Sequence, residues 1–245
     1  MLLEADAVSK AFGSFFAVRE ANLSVDEGEI VGLIGPNGAG KSTFFNCLAG
    51  DAVPTSGRII FASQDMTYAP PEAHARLGIG RTFQVPATFE GMTVLDNVMV
   101  GAYLRHPHHN DARECARQII ELTGLKAQTD IAAHSLGTPG RKRLEIARVL
   151  ATTPRLMLLD ESLAGLTPTE LQEAIGLVRK IHETGVTIVI VEHIMEVIMT
   201  LARRVLAFNQ GHVIASGKPE DVVKDEAVIE AYLGRGRHSY RSRSI

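Results

Sequence analysis

Residues 29–43 read Glu29-Ile30-Val31-Gly32-Leu33-Ile34-Gly35-Pro36-Asn37-Gly38-Ala39-Gly40-Lys41-Ser42-Thr43. An apolar run leads straight into a glycine-rich turn, and a helix is predicted from Gly40 to about Leu48. The turn matches G-x-x-x-x-G-K-[ST] in the setting that motif needs, after a strand and opening a helix. Glycines let backbone N–H groups turn inward onto phosphate oxygens, aided by the positive end of the helix. In that arrangement Lys41 reaches the β- and γ-phosphates and Ser42 ligates Mg²⁺. A glycine-rich turn that binds nothing is the alternative; motif and context together weigh against it.

Outward from this loop the chain organises itself. Residues 2–35 alternate apolar and polar positions and hold three strands, and residues 57–61 hold another. From about Pro86 to His134 the β signal nearly vanishes. Thr93-Val94-Leu95-Asp96 has the form of a capped helix start, and residues 111–125 continue a helical pattern, so this stretch reads as a helical insertion. After Gly140 a βα alternation returns. Thr167-Pro168-Thr169-Glu170 is a helix start with a Thr cap, a proline in the first turn and Glu three residues on. Residues 186–191 are a continuous run expected of a strand buried on both faces, and a hairpin is predicted around Gln210-Gly211. Such alternation points to an α/β domain with a mainly parallel sheet.

Leu156-Met157-Leu158-Leu159 is an apolar strand that ends on Asp160-Glu161. Placed beside the phosphate loop, Asp160 can hold Mg²⁺ through water and Glu161 can polarise an attacking water. Alone, the pair would read as a solvated strand end.

At this point the chain resembles an ABC-transporter ATP-binding subunit over roughly residues 3–234. The resemblance implies ATP and Mg²⁺ as cofactors. It implies a P-loop ATPase core with a mainly parallel sheet, an N-terminal antiparallel β subdomain and the helical subdomain of about 86–134. Phe12, 29 residues before Lys41, is similar to the aromatic that stacks on adenine. Thr82-Phe83-Gln84 resembles the Q-loop, whose Gln contacts Mg²⁺ and the attacking water. Val191-Glu192-His193 resembles the segment bearing the switch histidine, which contacts the γ-phosphate. Ala164-Gly165-Leu166-Thr167 sits where the D-loop should be. Glu161, His193 and Gln84 are then the catalytic candidates, residues 35–43 with Phe12 and Asp160 the nucleotide cradle, and Ser42, Gln84 and Asp160 the Mg²⁺ set.

A narrower resemblance, to branched-chain amino acid importer ATPases of the LivG type, rests on Arg81-Thr82-Phe83-Gln84, Met92-Thr93-Val94-Leu95-Asp96-Asn97, Arg143-Leu144-Glu145-Ile146-Ala147-Arg148 and the ending from Pro219 to Gly234. It implies permease subunits, a second ABC ATPase, an extracytoplasmic substrate-binding protein acting indirectly, no nucleic acid, and a peripheral place on the cytoplasmic face of the membrane. Residues 86–134 are expected to dock the permease, with Val85 and Met99 facing it. Exporter or lipid-extraction ATPases, soluble ABC proteins and a regulatory pseudo-ATPase are the rival readings.

One motif departs from the family. The signature L-S-G-G-Q becomes Leu136-Gly137-Thr138-Pro139-Gly140. The hydroxyl of the usual Ser is lost at Gly137, and Pro139 has no N–H and a fixed φ. Thr138 or Ser135 could supply a substitute hydroxyl. Each ATP in an ABC dimer lies between one phosphate loop and the partner's signature, so this departure predicts an asymmetric heterodimer, a neutral family variant being the alternative.

Composition sets the outer limits. The chain has 245 residues, 25 Lys+Arg against 28 Asp+Glu, and 45% apolar residues, which fits one large folded domain and gives no global attraction to nucleic acid. Two cysteines exclude a disulfide scaffold and point to a reducing compartment. No signal peptide or membrane-length apolar run is read, so a cytosolic or partner-held chain is expected. Residues 235–245 carry four Arg and no acid, and are expected to be a disordered terminus rather than a lipid contact. His106, His108 and His109 are read as a solvated loop rather than a metal site, and Cys47 as packing.

Overall fold

The computed structural model describes residues 1–233, so the expectation for the basic tail lies outside the described residues. Strands β1 (Leu3–Phe12) and β2 (Phe15–Val25) form an antiparallel hairpin. β3 (Ile30–Ile34) is buried at every position and feeds α1 (Lys41–Ala49). β4 (Ser56–Phe61) and the short β5 (Gln64–Asp65) complete an antiparallel sheet of order β2-β1-β4-β5. α2 (Pro71–Leu77) leads into β6 (Ile79–Arg81).

The helical stretch follows as α3 (Val94–Ala102), α4 (His109–Leu122) and α5 (Thr138–Leu150). The Thr93 hydroxyl caps α3 by accepting from Asp96 N at 3.0 Å. Helices therefore extend past His134. Gly137 is the N-cap of α5 and Pro139 lies within the first turn, where a missing N–H costs no helical bond. Met99 is 4% exposed, because it lies on the face of α3 turned to the helical core; its neighbour Val100 is the exposed one. The expectation that Met99 faces a permease is corrected accordingly.

The chain then alternates: β7 (Leu156–Asp160), α6 (Pro168–Glu183), β8 (Thr187–Val191), α7 (Met195–Leu201), β9 (Arg204–Asn209), β10 (His212–Gly217), α8 (Pro219–Val222) and α9 (Glu226–Leu233). α6 carries the full capping box between Thr167 and Glu170. The second sheet has order β10-β9-β3-β8-β7-β6, parallel except for β10 against β9.

Alternate residues of the parallel strands enter different cores. Val31, Leu33, Leu158, Val189 and Phe208 pack with α1 and the antiparallel sheet. Ile30, Ile34, Leu159, Ile190 and Ala207 pack with the helical side. Each fully buried Val, Leu, Ile or Phe among them contributes about 1.5–3 kcal/mol. β3 lies between β8 and β9, so the carboxyl ends of β3, β7 and β8 lie along one edge of the sheet, where open α/β folds bind ligands.

Candidate nucleotide site

Main-chain geometry shapes the loop after β3. Gly35 has φ +143°, and a Cβ there would collide with the Phe208 carbonyl of β9. Gly40 has φ +102°, and a Cβ would strike the Ala17 carbonyl. The Gly35 N–H donates to Tyr232 Oη at 2.8 Å, so α9 holds the root of the loop. Lys41 folds over the loop, donating from Nζ to Gly35 O at 2.7 Å and Pro36 O at 3.1 Å. Burial pulls the Lys41 pKa down, while the Glu161 and Asp160 carboxylates push it back up.

A cavity of about 720 Å³ opens over this loop. It is lined by Phe12, Phe15, Ala17, Asn37, Gly38, Ala39, Gly40, Lys41, Ser42, Thr43, Gln84, Glu161 and His193. Residues far apart in the chain thus meet at one place. Gly35 and Pro36 lie beneath Lys41 instead of on the wall. Phe12 and Phe15 pair across the β1–β2 turn and are 58% and 65% exposed, an apolar surface suited to an aromatic base. Phe15, a second aromatic three residues on, belongs to no motif, and only its proximity to Phe12 signals it in the sequence.

The Gln84 amide Nε2 donates to Glu161 Oε2 at 2.8 Å, joining the two catalytic candidates directly. Glu161 itself has φ +46°, the left-handed region, which costs a non-glycine residue about 1 kcal/mol or more. Its N–H donates to Val191 O at 2.9 Å, tying the end of β7 to the end of β8.

Asp160 does not line the cavity. Its carboxylate is nearly buried and pairs with Arg81 at 3.2 Å. Arg81 also pairs with Asp51, and its guanidinium packs over the rings of Phe83 and Phe45 at 5.1 and 5.5 Å. Burial pushes the Asp160 pKa up, and Arg81 opposes that shift. In the sequence Arg81 stands out only as part of a resemblance, and its partners, 30 and 79 residues away, leave no local signal. Ser42, Gln84 and Asp160 are hard oxygen donors of the kind Mg²⁺ takes, and Ser42 and Gln84 open directly on the cavity. Ser42 and Gln84 therefore fit Mg²⁺, while the Asp160 carboxylate is engaged by Arg81 away from the cavity.

The altered signature stands apart from this cavity, at the N-terminus of α5. Leu136 is buried, Gly137 and Thr138 are exposed, and Pro139 and Gly140 are half-buried. Gly137 provides no side-chain cap. Thr138 and Ser135 both lie exposed beside that helix end. Elsewhere, Cys47 is 1% exposed and burial raises its thiol pKa to about 11, consistent with packing. His109 Nδ1 lies 2.9 Å from the Tyr103 hydroxyl.

A glycine-rich loop between a buried strand and a helix, facing an acidic strand end, defines a P-loop nucleotide-binding protein. A family model described as ABC transporter matches residues 18–164, and one described as branched-chain amino acid ATP-binding cassette transporter matches residues 212–238. The chain belongs to the ABC transporter family and is an ATP-hydrolysing cassette. It is 38% identical to the high-affinity branched-chain amino acid transport ATP-binding protein LivG of Escherichia coli K12, over 95% of this chain and 98% of that protein. It is 36% identical to BraF of Pseudomonas aeruginosa, named for the same transport, with the same coverage. It is 35% identical to the lipopolysaccharide export ATP-binding protein LptB of Acidithiobacillus ferridurans, over 95% and 97% of the two chains. Among solved structures, the ADP conformation of the cassette MJ1267 superposes with a TM-score of 0.86 at 30% identity, over 95% of this chain and 98% of that one.

Proposed function

We propose that this chain hydrolyses Mg-ATP to drive an importer of branched-chain or related amino acids. The observation that carries the catalytic part is the meeting of Lys41, Gln84, Glu161 and His193 on one cavity at the strand ends. Lys41 neutralises the phosphate charge. Glu161, steadied by Gln84, polarises the attacking water and takes up its proton. His193, exposed on the cavity wall, faces the γ-phosphate. Ser42, Gln84 and, through water, Asp160 would hold Mg²⁺, which would supply neutralisation of the phosphate charge. The cargo reading draws on the names of LivG and BraF and on the C-terminal family model. An export role is the second reading, favoured by the likeness to LptB. Co-purifying the chain with its permease and measuring cargo-stimulated phosphate release separates the two. Stimulation by leucine with its binding protein supports import, and stimulation by a lipid alone overturns it.

The permease reading places this subunit at the cytoplasmic face. Among the described residues no helix is long and apolar enough to cross a membrane. A cavity of about 280 Å³ lies where α2, β6 and the segment after Arg81 meet α3 and α5. Phe83 and Val100 line it; both are exposed, as is Val85 on the same segment as Phe83. This seam, rather than the whole of 86–134, is the proposed dock. Cysteines at Val85 and Val100 are expected to cross-link to a permease loop, and one at Met99 is not. Efficient cross-linking at Met99 alone would sink this placement.

A second ATPase subunit with an intact signature is the proposed partner. Each lost hydrogen bond to a charged phosphate costs about 1.5–3 kcal/mol, roughly tenfold or more in affinity. Gly137 and Pro139 remove a hydroxyl and an N–H from the end of α5, so a homodimer would be weak at both sites. Gly137→Ser with Pro139→Gly is expected to strengthen ATP-dependent self-association roughly tenfold or more, read by sedimentation. A stable, fully active homodimer of the unaltered chain would overturn the heterodimer proposal.

A further inference from the structure

Behind the nucleotide cavity lies a buried charged cluster that the proposed chemistry does not use. Lys142 of α5 is 9% exposed, Glu145 3% and Glu192 fully buried. A buried cation is costly unless it is held by acceptors or opposite charge. The Lys142 ammonium donates to Ser162 O at 3.0 Å and reaches Glu161 O at 3.5 Å. Glu192 Oε1 accepts from Leu163 N at 3.0 Å. Glu145 Oε1 accepts from Phe83 N at 2.8 Å, next to Gln84. These three side chains therefore grip the main chain on both sides of the Gln84–Glu161 pair, from helix α5 and the end of β8.

Glu161 needs such a grip, because its backbone is left-handed without being glycine. Its N–H is held by Val191 O and its carbonyl accepts from Ala164 N at 3.2 Å, while the Lys142 ammonium adds a longer contact to that carbonyl at 3.5 Å and a firmer bond to the next one, Ser162 O, at 3.0 Å. We infer that Lys142 is a positioning residue: its ammonium holds the 161–162 peptides, so that the Glu161 carboxylate stays in place against Gln84. The inference rests on the reading of Glu161 as the group that polarises water. It also ties the signature end of α5 to this chain's own Glu161. Thr138 and Lys142 are four residues apart, one helical turn, on the same face. A shift of the signature end moves the ammonium, and with it the peptide that aims the carboxylate.

The test uses the chain assembled with its permease and partner ATPase. Lys142→Gln is one bond too short to reach the 161–162 carbonyls. Its kcat is expected to fall on the order of tenfold or more, with the KM and Kd for ATP within about twofold, since misplacing a reacting group costs rate rather than ground-state binding. Lys142→Arg, which keeps the charge and the donors, is expected to recover most of the rate. If the lost charge alone unfolds the chain, Lys142→Gln with Glu192→Gln removes one charge of each sign and is expected to show the same kcat deficit. Unchanged kcat in a folded Lys142→Gln protein overturns the inference, as does a raised KM at unchanged kcat. Glu161→Gln run in parallel separates the two claims. If Glu161→Gln stalls and Lys142→Gln does not, only the role of Lys142 fails. If Glu161→Gln turns over normally, the reading of Glu161 fails first.

Discussion

Glu161→Gln in the assembled transporter is expected to lower ATP turnover by about 10²–10⁴-fold, the range general-base catalysis contributes, while ATP still binds. The substitution is nearly isosteric. Its amide oxygen can still accept from the Gln84 amide across the 2.8 Å now spanned to Glu161 Oε2, so the cavity keeps its shape. What is lost is the charge that draws a proton from water. The left-handed backbone at 161 and its bond to Val191 O are untouched, because neither depends on the side chain. Phosphate release measured beside calorimetric ATP affinity resolves the point. A variant that hydrolyses at the unaltered rate would remove Glu161 from its role, whereas one that loses ATP affinity in proportion to rate would make it a binding residue.

What was legible in the sequence was what is local. The stretch from Glu29 to Thr43 declares a buried strand, a turn and a helix within fifteen consecutive residues, and each is where it was expected. The Thr167–Glu170 capping box and the apolar run of β8 likewise carry their structure in adjacent positions. Short elements were not legible. β6 has three residues and exists because Ile79, Gly80 and Arg81 pair with Leu156, Met157 and Leu158, a long-range fact. Gly137, Pro139 and Gly140 lie past the helical stretch read over 86–134. In the structure they open α5, whose following turns pack into the helical core. The same limit separates the site from its supports. Lys41, Gln84, Glu161 and His193 belong to motifs, but the Tyr232 hydroxyl on Gly35 and the Lys142 ammonium on Ser162 O join residues 197 and 20 positions apart. No pattern of residue types records such pairs.

The second large effect is expected at the phosphate loop. Lys41→Ala should weaken ATP binding by about 10–100-fold, with little change in thermal stability. Two physical terms set the size. A hydrogen bond to a charged group contributes about 1.5–3 kcal/mol, and loss of one ammonium from a phosphate cradle removes at least one such bond. The effective charge is also worth more here than at a surface, because the side chain is 6% exposed and screened little by water. Against this, Lys41 already carries a burial penalty that lowers its pKa, so the neutral replacement relieves some strain in the unliganded protein. Stability is therefore expected to hold even as affinity falls. The carbonyls of Gly35 and Pro36 lose their donor, but Gly35 keeps its N–H bond to Tyr232 and its packing on the Phe208 backbone, so the loop retains its path. Lys41→Met, which restores the aliphatic stem without the charge, is expected to bind ATP as poorly as Lys41→Ala. Recovery of affinity in Lys41→Met would show that packing, rather than charge, governs the cradle. Unchanged affinity in Lys41→Ala by calorimetry would show that this lysine does not meet the phosphates at all.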